Sequence, residues 1–254
     1  MRGRRTSLEI ALRFYEARVS GLYRAACQRV APRPSSPPVP PPPPPIRLVI
    51  FDFDGTLSDS GHWFLGIVDH LAQRYRFRTV EAGEVEALRG LPTRDVIRHL
   101  RIPAWKLPFI ARYVRTLFAL HTHEVHLFDG VTEMLERLEA TGVQLALVSS
   151  NAEINARRIL GPDNARRFAF WECASSLYGK APRFRRVLKA AGVSAAQALA
   201  IGDETRDIEA AQRCGIRSGA VHWGYAHREA LEAVGPDHGF DSPDAVVRLL
   251  LGQA

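Results

Sequence analysis

Lysine is almost missing from this chain: it has three, at positions 106, 180 and 189, against 31 arginines. Cysteine is equally scarce, with three residues at 27, 173 and 214 and no closely spaced pair. That spacing argues against a disulfide framework or a zinc site and points to a reducing, cytoplasmic setting. No apolar run approaches the ~18 residues that span a bilayer. The arginine-rich start lacks a continuous apolar stretch and a small-residue cleavage site, so a secretory leader is not expected. Acidic residues are scarce only at the beginning. Residues 1–46 carry eight Arg and two Glu, a net of +6, and the other 208 carry 26 basic and 25 acidic side chains, a net of +1. The body is close to neutral and offers no concentrated basic surface for nucleic acid.

What is present divides the chain. Leu8, Leu12, Tyr15, Val19, Leu22 and Ala26 recur at spacings of three and four, so residues 1–31 read as a basic extension with an amphipathic helix over 8–26. Two readings stay open for it: a solvated tail, or an anchor for an anionic membrane or a protein partner. Ten of the 17 prolines lie in 32–45, a run that favours extended polyproline II and acts as a linker. From residue 46 onward, short β-rich apolar runs at 47–51, 143–149, 168–174, 198–201 and 217–222 alternate with helical patterns at 130–141, 155–159, 183–191 and 207–214. The block 62–127 reads as helices only, at 63–75, 80–88, 93–100 and 105–120. This alternation predicts an α/β fold, a doubly wound parallel sheet over 46–61 and 128–254, with 62–127 inserted as a helical unit.

In such sheets ligands bind beyond the carboxyl ends of the strands. There the sequence places FDFDGTL at 51–57, SSN at 149–151 and GDETRD at 202–207, with Lys180 in a GK step before a helix. Asp52, Asp54, Asp203 and Asp207 thus come to one edge, where they repel one another unless a cation lies between them. Oxygen-only ligands suit magnesium (Mg2+), which keeps room for water and substrate phosphate. Hydroxyls, backbone N–H groups and a lysine would take the remaining phosphate oxygens. Asp52 and Asp54 are two apart and share a side in extended chain; one can attack phosphorus while the other handles the leaving-group proton. Lys180 is conspicuous in a chain that uses arginine almost everywhere, because an ammonium is a compact point charge. The histidines of HTHEVH at 121–126 lack the helical spacing of a zinc site and read as a hinge.

FDFDGTLSDS, LVSSN, YGKAP and IGDETRD, in this order, resemble the four motifs of the haloacid dehalogenase superfamily. The insert 62–127, HWGY at 222–225 and FDSPDAVVRLL near the end are similar to the phosphoglycolate-phosphatase-like subgroup with a helical cap. The resemblance implies a phosphatase that hydrolyses a small phosphorylated metabolite such as phosphoglycolate. It implies that Asp52 is the nucleophile and becomes phosphorylated, and that Asp54 is general acid and then general base. Mg2+ would be held by Asp52, the Asp54 backbone carbonyl and Asp203. Phosphate would be bound by Ser149, Lys180 and backbone around Gly55 and Asn151, with Thr56 and Asp207 in support. Arg89 and Arg94, beside a Gly-Leu-Pro loop, are the candidates for recognising a substrate carboxylate. Asp54 argues against dehalogenase chemistry, since those members lack the second acid. A phosphosugar mutase of the same fold and a non-enzymatic docking protein are the other readings.

Overall fold

The computed structural model describes residues 44–173 and 179–253. The expectations for 1–31, and for all but the end of the proline-rich linker, lie outside the described residues.

Six strands form one sheet in the order β3-β2-β1-β4-β5-β6. They are β1 (Leu48–Phe51), β2 (Gln144–Val148), β3 (Phe168–Glu172), β4 (Ala198–Gly202), β5 (Arg217–Val221) and β6 (His238–Phe240). Every neighbouring pair is parallel. The chain runs from β1 outward to one edge and returns to build the other half from β4. The β1–β4 junction is therefore the switch point of a doubly wound α/β fold, where a crevice opens beyond the strand ends.

Strand periodicity splits the core between the two faces. Val49 and Phe51 of β1 join Leu145, Leu147, Leu199 and Ile201 on one face. They pack against α5 (Val131–Ala140) and α10 (Pro243–Leu250) through Leu135, Leu138, Val246 and Val247. Leu48 and Ile50 face the other way with Ala146, Ala198 and Ala200. Those small side chains admit α7 (Ala181–Ala191) and α8 (Thr205–Gln212), which supply Phe184, Val187, Ala210 and Ala211. Each fully buried Leu, Ile or Phe contributes about 1.5–3 kcal/mol, so both faces are needed to fix the strand ends.

Between β1 and β2 the chain forms α1 (Gly61–Tyr75), α2 (Val85–Arg89), α3 (Thr93–His99) and α4 (Leu107–Leu120), joined by short 3-10 turns. Trp63 of α1 meets Phe118 of α4 edge-on at 4.7 Å, and His70 Nε2 hydrogen-bonds the Tyr113 hydroxyl at 2.9 Å. Three features depart from the sequence expectation. The helix expected at 155–159 is α6 (Glu153–Ala165), in which Gly161 (φ 72°) breaks the geometry just before Pro162. Strand β6 was not anticipated: at three residues it is too short to show a pattern. Its Gly239 is needed, since a Cβ there would lie 2.8 Å from His222 Cε1. The short α9 (Arg228–Glu232) was not anticipated either.

Candidate active site

The site begins where β1 stops. Asp52 N–H donates to Ile201 O at 2.9 Å, tying the first residue past β1 to β4. Phe53 and Leu57 point into the core, fully buried, and Asp52 and Asp54 face the other way. A tight turn follows: Leu57 N–H and Ser58 N–H both donate to Phe53 O, and Gly55 N–H donates to Ser58 O, each at 2.9 Å. Gly55 has φ 79°, and a Cβ on it would lie 2.0 Å from Asp203 Oδ2. Gly55→Ala is thus expected to lose on the order of 2 kcal/mol or more, from left-handed strain and a displaced Asp203. Thermal unfolding reads this as a lower Tm, and an unchanged Tm would contradict the packing.

Asp203, the first residue past β4, is 1% exposed. Its Oδ1 accepts from Thr56 Oγ1 at 3.0 Å and its Oδ2 from Tyr225 N–H at 2.9 Å. Gly224 permits that approach, because a Cβ there would lie 2.2 Å from Asp203 Cβ. Lys180, just before α7, is buried with Nζ 2.8 Å from Asp52 Oδ1 and 2.5 Å from Asp207 Oδ1. Asp207 lies in the first turn of α8, where the helix dipole favours a negative charge. Asp52, Asp203 and Asp207 each offer a carboxylate oxygen within 4.8 Å of the others.

Electrostatics follow from burial. Asp52 is raised to about 7, by burial first and by Asp207, with Lys180 pulling the other way. Asp203 is driven well above the carboxylate range by burial and then by Glu204, Asp52 and Asp207. Burial also raises Asp54, against hydrogen bonds from Ser60 and Asn151. For Lys180 burial alone acts downward, but Asp207 and Asp52 outweigh it and the net direction is up. With all three carboxylates ionised (−3) and one ammonium (+1) the buried cluster would carry −2, a state that burial opposes and a bound cation would favour. That charge and an all-oxygen donor set fit a divalent hard cation.

The SSN loop closes the site from β2. Ser149 is buried: its Oγ accepts from Asn151 N–H at 3.0 Å and its carbonyl from Arg183 Nη1 at 2.6 Å. Asn151 Nδ2 donates to Asp54 Oδ1 and Oδ2 at 3.2 and 3.1 Å.

Several sequence-based assignments need revision. Backbone around Gly55 and Asn151 was expected to hold phosphate; the Gly55 and Asn151 amides themselves are turned inward, to Ser58 O and Ser149 Oγ. The N–H groups of Phe53, Asp54 and Ser150 have no partner among the described residues and are the ones that can receive an anion. Arg89 holds the core instead of an open substrate position: its Nε donates to Tyr225 O at 2.9 Å and its Nη2 to Gly224 O at 3.4 Å. Arg94 has an 81% exposed side chain whose nearest ion-pair partner is Asp95 at 3.9 Å. Neighbouring contacts also join the insert to the core. Thr93 Oγ1 donates to Glu204 at 2.5 Å, and His227 Nε2 lies 2.7 Å from Glu86 O. Sequence reasoning did not single out Arg183, which is buried and bonds the carbonyls of Ser149 and Glu172. Nor did it single out Gly224, although HWGY was noted.

The sequence and the fold have relatives among known proteins. A family model described as haloacid dehalogenase-like hydrolase matches residues 49–221. The phosphoglycolate phosphatase of Synechococcus elongatus is 27% identical over 204 residues, 80% of this chain and 96% of that protein. That of Xanthomonas campestris pv. campestris is 31% identical over 187 residues, 70% of this chain and 84% of that protein. Among solved structures, a predicted phosphatase from Clostridium acetobutylicum has the same fold. Its TM-score is 0.71 at 21% identity, covering 82% of this chain and all of that one.

Proposed function

The chain belongs to the haloacid dehalogenase-like hydrolase family, and we propose that it hydrolyses a small phosphomonoester, of phosphoglycolate type, through an aspartyl phosphate on Asp52. The observation that carries this reading is Lys180 Nζ held between Asp52 and Asp207, with Asp203 beside them. A buried ammonium at the nucleophile can neutralise a phosphoryl group as it arrives.

Asp52 attacks phosphorus in line, and the ester P–O bond breaks. Asp54 gives its proton to the departing oxygen. The same carboxylate then takes a proton from water, which attacks the aspartyl phosphate and frees Asp52 with inorganic phosphate. The Phe53 and Asp54 amides, the Ser149 hydroxyl and Lys180 surround the phosphoryl oxygens. Asp52, Asp203 and the Asp54 carbonyl are the groups that would hold Mg2+. When bound, that ion supplies the positive charge that lets acids and phosphate share one pocket.

Helices α1–α4 act as a cap that excludes water and admits only small substrates. Arg89 is a clamp within this assembly. Cys173 and Cys214 are free thiols, which suits the cytoplasm. No helix among the described residues is long and apolar enough to cross a membrane. Residues 1–31 keep the proposal of a membrane or protein contact.

The test is phosphate release from a panel of phosphorylated two- and three-carbon acids, sugars and nucleotides. Release that requires Mg2+ and stops with a chelator is expected, fastest for small acids. A folded protein that releases no phosphate from any panel member with Mg2+ present would refute the reading. Isomerisation of a sugar phosphate without release would favour a mutase.

A further inference from the structure

We infer that Asn155 is a positioning residue: it locks the amide of Asn151 and thereby the carboxylate of Asp54. This rests on the proposed role of Asp54 as proton donor and acceptor.

An asparagine amide can face either way, and only one way serves Asp54. Asn151 Oδ1 accepts from Ala152 N–H at 2.8 Å, a donor whose identity is beyond doubt. Asn155 Nδ2 is the second donor to the same oxygen, at 3.2 Å. With both lone pairs of that carbonyl engaged, Nδ2 is the end left toward Asp54, 3.1 and 3.2 Å from its two oxygens. Were the amide turned over, a carbonyl oxygen would meet a carboxylate, and two acceptors repel. Asp54 itself stands on a loop and is partly exposed, so its plane is set by what donates to it.

Asn155 is a poor choice for the fold alone. It sits in the first turn of α6, 1% exposed, and its Oδ1 is buried with no partner among the described residues. A buried carbonyl left unpaired destabilises, and an apolar side chain of similar volume would avoid that cost. Among the described residues, the side-chain hydrogen bond it makes in return is the donation to Asn151. A local conflict of this kind beside a catalytic loop marks a functional constraint.

The prediction separates this role from packing. Asn155→Leu and the isosteric Asn155→Asp both remove the donor. The readout is kcat/KM with Mg2+ on two substrates. An alkyl phosphate needs its leaving oxygen protonated; p-nitrophenyl phosphate, whose phenolate leaves unaided, does not. Because kcat/KM runs only through the first irreversible step, later hydrolysis of the phosphoenzyme does not enter. For Asn155→Leu, kcat/KM on the alkyl phosphate is expected to fall about tenfold and on the aryl phosphate less than about twofold. Its Tm should stay the same or rise. Asn155→Asp should fall at least as far on the alkyl substrate. Asn151→Ala should show the same selectivity, and the Asn151→Ala, Asn155→Leu pair should lose no more than Asn151→Ala alone. Equal losses on both substrates, activity that tracks a falling Tm, or additive losses in the pair would overturn the inference. Asp54→Asn is the control. If it shows no preference for the aryl substrate, the assignment of Asp54 fails first and takes this inference with it.

Discussion

Asp52→Asn is expected to reduce phosphate release by about a thousandfold or more while leaving Tm unchanged or higher. The amide is isosteric but has no carboxylate to attack phosphorus, so no aspartyl phosphate can form. Stability behaves differently because of where Asp52 sits. It is 6% exposed, and its carboxyl is raised to about 7, chiefly by burial, far above an ordinary aspartate. A neutral group removes that desolvation cost. Lys180 loses one of two partners but keeps Asp207 at 2.5 Å. Phosphate release and thermal unfolding of the same preparation check the pair of outcomes. Activity retained within tenfold would mean that Asp52 is not the nucleophile.

Lys180→Met should do the opposite to stability. The lysine is the one ammonium between two buried carboxylates, 2.8 Å from Asp52 and 2.5 Å from Asp207. Removing one member of a buried ion pair costs about 3–5 kcal/mol, since the survivors keep their desolvation penalty without compensation. Methionine has similar reach and fills the volume, so little of the loss comes from packing. Measured in chelator, Tm should fall sharply and phosphate release should vanish. Adding Asp207→Asn to Lys180→Met should recover part of the stability and none of the activity. Lys180→Arg is not expected to rescue: a planar fork does not fit where a point charge touches two carboxylates. A Lys180→Met protein as stable as the parent would show that the three acids are not charged together in the folded state.

Much of this was legible before any coordinates. The four-residue apolar run before Asp52 and the five-residue run before Asp203 become the central strands β1 and β4. The strand-end rule then brings both acids to the switch point. Lys180 stood out by rarity. What stayed hidden depends on closure in three dimensions. Which amides face an anion is decided by the turn that consumes Gly55 N–H, and nothing in FDFDGTL says that Phe53 and Asp54 keep theirs. Arg89 looked like a substrate arginine because it flanks a loop; its carbonyl partners lie 135 residues away or more. Arg183 was one of 31 arginines. Asn155 is ordinary in a helix until its amide is traced, through Asn151, to Asp54.

The peptide group joining Gly224 to Tyr225 is gripped at both ends: its oxygen by Arg89 of the helical insert, its N–H by Asp203. Such a group behaves as a lever with two loads. A shift of the insert pulls on the acid, and whatever occupies the acid restrains the insert. The peptide plane is rigid, so the two hydrogen bonds move together: displacing Arg89 from Gly224 O tilts the N–H that Asp203 accepts.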